Sequence, residues 1–202
     1  MADAKAFDDR PDPARRKLLV GATGAVGGAA RAAASYPFIA SLGPSERAKS
    51  AGAPVEFDIA PLAPGRLHTL EWRGKPVWVL RRTPEMLAGL KAVEKLLSDP
   101  HSEVSSQQPE YARNVGRSIN EETFVTVALC THLGCIPSYY PEPGSIQPGW
   151  PGGFYCPCHG SKFDLAGRVF KGSPAPTNLE IPPYRYEGTS RLVVGADASG
   201  EA

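Results

Sequence analysis

Hydrophobic residues follow two different patterns along this chain. Between residues 18 and 42 they form one long run that is rich in Ala and Gly. Beyond residue 54 they occur in short β-rich runs. The predicted strands span residues 55–59, 67–72, 76–82, 123–129, 168–170, 179–181 and 192–194. The second and third of these flank Arg73-Gly74-Lys75, where a hairpin is predicted. The pattern therefore predicts a mainly β domain behind a separate N-terminal segment.

One helix is predicted within the β domain. Thr83 is a suitable N-cap, Pro84 is favoured at the first helical position, and Glu85 places an acid in the first turn. Apolar residues then recur at helical spacing to about Leu97. We expect this helix to pack on the sheet. The polar residues 101–120 and the proline-rich residues 136–155 are expected to lack regular structure.

The long apolar run follows Arg15-Arg16-Lys17, a twin-arginine pattern typical of a bacterial export signal. Residues 18–42 are numerous enough to cross a bilayer, and the preceding basic cluster predicts a cytoplasmic N-terminus. Arg31 and the small residues weaken the prediction of a lone membrane span. Ala32-Ala33-Ala34 allows the alternative of a cleaved signal. Both readings stay open on the residues alone.

Composition limits the other function classes. The chain has 202 residues, with 22 Lys and Arg against 21 Asp and Glu, so its net charge of +1 does not indicate a nucleic-acid partner. Its 21 Gly and 21 Pro favour short strands and turns. The predicted organisation is a tail at 1–17, a transmembrane anchor at 18–42, a flexible hinge at 43–54 and a folded domain at 55–202.

The four cysteines all fall in two boxes, residues 130–135 (CTHLGC) and 156–161 (CPCHGS). Two thiolates and two imidazoles are the ligands of a [2Fe–2S] cluster in which histidine replaces cysteine on one iron. A Cys₂His₂ zinc site would use the same ligands. A framework of two disulfides would use all four cysteines. The extra cysteine in each box and the paired histidines favour the cluster, whereas His68 and His101 are expected on the surface.

Both boxes resemble the Rieske iron–sulfur subunit of bacterial cytochrome bc complexes, the ubiquinol–cytochrome c reductases. The resemblance extends over the twin-arginine segment, the hinge, the β domain and the proline-rich residues 172–176. It implies an antiparallel, β-sandwich-like domain with a small cluster-binding subdomain at about residues 128–177, preceded by a single transmembrane helix. It also implies one Rieske-type [2Fe–2S] cluster per chain, and it favours the retained anchor over the cleaved signal.

The resemblance assigns a role to each cysteine and each histidine of the two boxes. The implied ligands are two thiolates for one iron and two imidazoles for the other: Cys130, Cys156, His132 and His159. The remaining pair, Cys135 and Cys158, would form a disulfide between the boxes.

Four further residues near the cluster follow from the same resemblance. Ser161 would donate a hydrogen bond to a bridging sulfide. Phe163 stands where relatives commonly have a hydrogen-bonding tyrosine, which predicts a lower reduction potential than in those relatives. Leu133 would face the quinol pocket of a partner subunit, and Pro174 belongs to the stretch that covers the cluster. In that stretch Ser173 replaces a glycine that is frequent in the family.

The implied function is electron transfer within a quinol–cytochrome c reductase. His159 would contact quinol and take part in proton-coupled electron transfer, and the electron would pass to a c-type cytochrome. The implied partners are cytochrome b, a c-type cytochrome, quinol and membrane lipid, in a dimeric complex. The domain would lie in the periplasm, anchored by one span in the bacterial inner membrane. The alternative is a Rieske electron-transfer subunit of another membrane-associated or periplasmic oxidase, such as a molybdenum enzyme.

Overall fold

The computed structural model describes residues 12–45, 52–197 and 200–201, which fall into two compact units. In the first unit, helix α1 spans Pro13–Ala40, and the Asp12 carboxylate accepts a hydrogen bond from the Ala14 N–H. The helix therefore begins before the predicted anchor. Within the described residues, no helix combines the length and the apolar character needed to cross a membrane. Residues 1–11 of the predicted tail and 46–51 of the predicted hinge lie outside the described residues.

The second unit is built from short antiparallel strands and one α-helix, α2, at Pro84–Ala92. The strands are β1 Val55–Asp58, β2 Leu67–Trp72, β3 Lys75–Arg81, β4 Thr123–Val127, β5 Ser138–Tyr140, β6 Gly153–Tyr155, β7 Lys162–Phe163, β8 Tyr184–Glu187, β9 Arg191–Val194, β10 Ala196–Asp197 and β11 Gly200–Glu201. They form three-stranded sheets in the orders β2-β3-β4, β1-β9-β8 and β5-β6-β7, and a two-stranded ribbon, β10-β11. The mainly β prediction is confirmed.

A tight hairpin starts the β2-β3-β4 sheet. Trp72 pairs with Lys75, and the two residues between them, Arg73 and Gly74, have φ angles of 51° and 69°. Positive φ at both central residues is typical of the two-residue turn whose twist matches the flanking strands. The hairpin predicted around residues 73–75 is therefore confirmed.

The core joins this sheet to the β5-β6-β7 sheet, whose first two strands lie between the cysteine boxes in the sequence. All five residues of β4 are buried. The Phe154 ring of β6 stacks on Trp78 of β3 at a centroid distance of 5.0 Å and lies 6.2 Å from Phe124 of β4. Leu90 of α2 is buried in the same core, which confirms that this helix packs on the domain. The β5-β6-β7 sheet is thus fixed to the rest of the domain by aromatic contacts.

Helix α2 ends earlier than its apolar pattern predicts. It stops at Ala92, a 3₁₀ turn follows at Glu94–Leu96, and the next residue, Leu97, forms an isolated bridge with Phe170. The predicted continuation to Leu97 is wrong because Leu97 is buried by pairing with an extended segment. The N-cap prediction is confirmed, since the Thr83 hydroxyl accepts from the Met86 N–H over 3.4 Å.

Two predicted strands are also absent from the described residues, and several observed strands, among them β5 and β8, were not predicted. Residues 168–170 form isolated bridges, and residues 179–181 bond to different neighbours, so neither segment builds a ladder. Strand β5 lies inside the proline-rich segment expected to be irregular, and β8 forms a hairpin with β9. Strand β5 gives no recognisable pattern within this proline-rich segment because it has only three residues, all of which pair with β6.

Three arginines within the described residues are buried, and they hold the irregular segment 99–122 and the residues 165–167 after β7 in place. Arg82 donates to the carbonyls of residues 116, 121 and 165, and Arg117 donates to those of residues 107, 166 and 167. Burial lowers the pKa of each to about 10, and the Asp164 carboxylate offsets part of that shift. Both stay protonated at neutral pH. Arg168 forms a buried ion pair with Asp164 over 2.7 Å.

Candidate metal centre

The first cysteine box, residues 130–135, folds into a closed loop after β4, which we call the first loop. The Cys130 N–H donates to the Cys135 carbonyl over 2.7 Å, and the Gly134 N–H donates to the Cys130 carbonyl over 2.9 Å. Gly134 has a φ of 80°, a left-handed conformation that costs residues with a side chain about 1–2 kcal/mol. Glycine therefore allows the loop to close within six residues.

The second box, residues 156–161, forms a second loop with the same pattern between β6 and β7. The Cys156 N–H donates to the Ser161 carbonyl over 2.8 Å, and the Gly160 N–H donates to the Cys156 carbonyl over 2.9 Å. Gly160 has a φ of 78°. The two loops consequently share one backbone design, with a buried cysteine first and a left-handed glycine fifth.

A buried thiol begins each loop. Cys130 and Cys156 are 3% and 1% exposed, and neither forms a disulfide. Burial raises the pKa of the Cys156 thiol, and the neighbouring Cys130 thiol raises it further. A bound metal ion reverses this balance because it stabilises the thiolate. Two adjacent thiols in an apolar pocket are suited to metal binding.

The two box histidines lie beside each other. Their ring centroids are 4.7 Å apart, and the rings meet edge to face. The Nδ1 atom of His132 is buried and has no hydrogen-bond partner. Such a buried, unpaired polar atom costs roughly 1–3 kcal/mol, which a metal bond to this nitrogen would remove. The His159 side chain, in contrast, is exposed.

A disulfide between Cys135 and Cys158 joins the two loops. The sulfur atoms of Cys135, Cys156 and Cys158 lie within 4.8 Å of one another. Because two of these three are bonded to each other, Cys156 is the one that offers a free thiolate. The disulfide implied by the family resemblance is therefore confirmed, and the alternative framework of two disulfides is wrong.

A third segment, residues 173–177, braces both loops. The Ser161 hydroxyl accepts a hydrogen bond from the Ala175 N–H over 3.0 Å. The Thr131 hydroxyl donates to the Thr177 carbonyl over 2.7 Å. Each loop is consequently held to the same proline-rich segment, in which Pro174 is exposed and Ala175 is buried.

Two buried thiols and two adjacent histidines, one with an orphaned ring nitrogen, are a donor set that fits a [2Fe–2S] cluster. Residues 58–184 match the family model of the Rieske [2Fe-2S] domain. The chain is also 54% identical over 185 residues to the ubiquinol-cytochrome c reductase iron-sulfur subunit of Allochromatium vinosum, covering 91% of this chain and 89% of that relative. The chain belongs to this Rieske family.

Other comparisons match most of the chain or its N-terminal segment. The iron-sulfur subunit of Blastochloris viridis is 41% identical, with 95% of this chain and 98% of that relative covered. Residues 7–45 match the model described as the ubiquinol-cytochrome c reductase Fe-S subunit TAT signal. A solved chain titled hyperthermophilic respiratory Complex III is 29% identical, with a TM-score of 0.46, and the match covers 87% of this chain and 98% of that chain.

Membership of the Rieske family decides between the metals that the residues alone left open. The matched domain is a [2Fe–2S] domain, so the cofactor of this site is the iron–sulfur cluster and the zinc alternative is dropped. The twin-arginine interpretation of residues 15–17 is likewise confirmed by the signal match.

Two further positions near the Rieske site bear on the expectations from the resemblance. Phe163 is fully buried and carries no hydroxyl to donate toward the site. Ser173 accepts a hydrogen bond from the Lys162 N–H over 3.1 Å. The serine therefore fastens the proline-rich segment to β7, next to the second loop.

Sequence reasoning missed Thr131 and the buried arginines. The role of Thr131 could have been inferred from its position between a cysteine and a histidine. The burial of the arginines had no local signal, since most of their partners are backbone carbonyls far away in sequence. His68 stacks on Phe57, and His101 is exposed near Glu94, so neither belongs to the site, as predicted.

Proposed function

We propose that Cys130 and Cys156 bind one iron through thiolates, and that His132 and His159 bind the other through imidazole nitrogens. The two cysteines are the buried thiols left free by the disulfide. The two histidines are in ring contact, and the orphaned Nδ1 of His132 gives that ring a bond to make. The proposed set uses two ligands from each loop, so the disulfide between the loops holds both halves together.

We infer that the chain is the electron-transfer subunit of a quinol–cytochrome c reductase. The observation that carries this inference is the exposure of His159 beside an otherwise shielded pair of thiols. When bound, the cluster accepts and releases one electron at a time. The exposed ring of His159 hydrogen-bonds the quinol hydroxyl and holds its proton at the outer ring nitrogen. Leu133, which is 71% exposed, offers the apolar contact for the quinol pocket of a partner subunit.

The reduction potential of this site follows from its hydrogen-bond donors. Ser161 is fully buried, and its oxygen already accepts from the Ala175 N–H. Its own O–H therefore remains to donate, and we propose that it donates to a bridging sulfide, which raises the potential. Phe163 cannot supply the second donor found in tyrosine-bearing relatives. The proposed potential is accordingly lower than theirs.

We propose that α1 is retained as a single membrane anchor packed against other helices. Its Gly and Ala residues and Arg31 keep its hydropathy below that of a lone span, but small residues favour close helix packing in lipid. The basic residues 15–17 place the N-terminus in the cytoplasm. The proposed division is a tail at 1–17, an anchor at 18–42, a hinge at 43–54 and a periplasmic Rieske domain at 55–202, with its cluster subdomain at about 128–177.

The proposed partners follow from the same assignment. Cytochrome b would supply the quinol site, a c-type cytochrome would receive the electron, and the assembly would be a dimer in the bacterial inner membrane. The names of the relatives, all iron-sulfur subunits of ubiquinol-cytochrome c reductase, favour this complex over a molybdenum enzyme.

Low-temperature EPR of dithionite-reduced membranes containing the full chain tests the cluster. We expect a rhombic signal with an average g value below that of all-cysteine clusters, because two ligands are histidines. Co-purification with b- and c-type haem and quinol-dependent reduction of cytochrome c test the complex. A silent sample with stoichiometric zinc would contradict the cluster, and a signal without haem would contradict the complex.

A further inference from the structure

A small basic pocket lies on the domain beside β7 and the residues 147–151 that lead into β6. Its volume is about 240 Å³. Three lysines line it, Lys95, Lys162 and Lys171, and none of its nine lining residues, all in the described part of the chain, is acidic. Because no carboxylate in the lining balances the three lysines, the pocket carries a local excess of positive charge.

Two of the lysines are held by contacts of their own. The Lys171 ammonium donates to the Lys95 carbonyl over 2.9 Å. The Lys162 ammonium donates to the side-chain oxygen of Gln147. Each ammonium has three N–H donors, so two remain on each after these bonds. These bonds therefore hold the two ammonium groups in place and leave N–H donors on each for a ligand.

The floor of the pocket is aromatic. Trp150 is 2% exposed and its ring centroid lies 5.7 Å from that of Phe170. Leu96, which is 53% exposed, adds an apolar edge. The lysines can bind an anionic group, and the apolar side chains beside them can contact an organic group. The pocket therefore suits a ligand that carries both an anionic group and a short organic part.

We propose that this pocket binds a phosphate-bearing ligand, with the phosphate on the lysines and its organic substituent over Trp150 and Phe170. Lysine is a compact point charge that serves phosphate, whereas planar carboxylates are matched by the fork of arginine, which is missing from this lining. A ligand held here would contact β7, the strand that follows the second loop, through Lys162. Neither of the residues proposed to face quinol, Leu133 and His159, lines this pocket.

Calorimetric titration of the full-length, cluster-loaded chain in non-ionic detergent tests the pocket. The probes are inorganic phosphate, glycerol phosphate and dihexanoylphosphatidylglycerol below its micelle concentration, with succinate as the carboxylate control, all at constant ionic strength. Binding of inorganic phosphate identifies a free phosphate site, and binding of the two glycerol compounds alone identifies a lipid headgroup site. Either result supports the proposal.

Three variants decide whether the binding belongs to this pocket. We expect Lys95→Gln and Lys171→Gln each to weaken binding about fivefold or more, because each removes a charge-assisted hydrogen bond. Lys91→Gln, a neighbouring exposed lysine that does not line the pocket, should stay within about twofold of the unmodified chain. Absence of saturable binding, equal weakening by Lys91→Gln, or tighter binding of succinate than of the phosphates would overturn the proposal.

Discussion

The two cluster loops have the same backbone but arrange their side chains differently. Each begins with a buried cysteine, closes with the same two hydrogen bonds and has a left-handed glycine at its fifth position. The histidine is the third residue of the first loop and the fourth residue of the second. The sixth residue is a disulfide cysteine in the first loop and a serine in the second.

This shift of one position decides which side chains meet solvent. The fourth residue is exposed in both loops: Leu133 in the first and His159 in the second. His132, at the third position, is half-buried and its Nδ1 is shielded. The backbone therefore sets the positions, and the order of the side chains makes one histidine available to a partner while the other is enclosed.

The largest expected effect comes from removing the first residue of either loop. Cys130→Ser and Cys156→Ser should each abolish cluster binding, because the proposal gives each thiolate to the same iron and neither position has a substitute ligand. Iron and acid-labile sulfide content of the purified full chain, with its visible absorbance, measures this loss. Retention of a normal cluster by one of the two variants would show that the loops are not equivalent at this position.

The loops differ in what anchors them to the domain, and Asp164 tests that difference. Asp164→Asn leaves the Arg168 guanidinium buried without its counter-charge, which costs about 3–5 kcal/mol for a broken buried pair. The matching anchor after the first loop is Tyr139, whose hydroxyl donates to the Gly65 carbonyl over 3.0 Å. Tyr139→Phe should cost about 1 kcal/mol. Urea unfolding of both variants measures the contrast, and equal costs would contradict it.

Removing the disulfide should loosen both loops at once and spare the ligands. For the double variant Cys135→Ala, Cys158→Ala we expect a loss of roughly 2–4 kcal/mol in stability, the usual range for a bridge of this kind. The cluster should still assemble but be lost sooner on heating or with a chelator. Thermal unfolding followed by visible absorbance reports both changes. A variant that never incorporates iron would mean that the bridge is needed for assembly itself.

Much of this site could be predicted from sequence because its chemistry is local. Cysteine and histidine at fixed spacing pointed to the ligands, and the extra cysteines pointed to a bridge. The fold was predicted where the signal was also local, as at the Arg73-Gly74 turn and the Thr83 cap. The bracing bond from Thr131 to the Thr177 carbonyl was not predicted, because its acceptor is a backbone atom 46 residues away.

The prediction failed where tertiary pairing decides the structure. The apolar pattern from Met86 to Leu97 reads as one helix, but Leu97 instead pairs with Phe170. Strand β5 consists of three residues in a proline-rich segment, too few for any periodic signal. Arg82, Arg117 and Arg168 look like ordinary surface residues in the sequence, since nothing nearby reveals that distant carbonyls enclose them.

The two left-handed glycines allow a direct test of the shared backbone. Gly134→Ala and Gly160→Ala should each destabilise the domain by about 1–2 kcal/mol, since both impose a side chain on the same strained conformation. An added Cβ at Gly134 meets no atom within 4 Å, and at Gly160 the nearest is the Tyr155 hydroxyl at 3.7 Å. The penalty is therefore conformational in both loops. Urea unfolding should give equal costs, and a large difference would mean that crowding dominates in one loop.

The smallest expected effect comes from comparing the two hydrogen bonds that fasten the loops to residues 173–177. Thr131→Val removes the bond to the Thr177 carbonyl, and Ser161→Ala removes the acceptor of the Ala175 N–H. Each should cost about 1 kcal/mol of stability. If the Ser161 hydroxyl also donates to a bridging sulfide, Ser161→Ala alone should lower the reduction potential as well.

Redox titration followed by EPR of the two variants measures this difference, with Ser161→Thr as the control that keeps the hydroxyl. We expect the threonine to recover the potential even if its extra methyl group disturbs packing, because the donor is what stabilises the reduced state. An equal fall in potential in Thr131→Val and Ser161→Ala would instead mean that closure of the proline-rich segment over the site governs the potential. The two loops would then tune the site through this shared cover, and the hydrogen bond donated by the Ser161 hydroxyl would not set the potential.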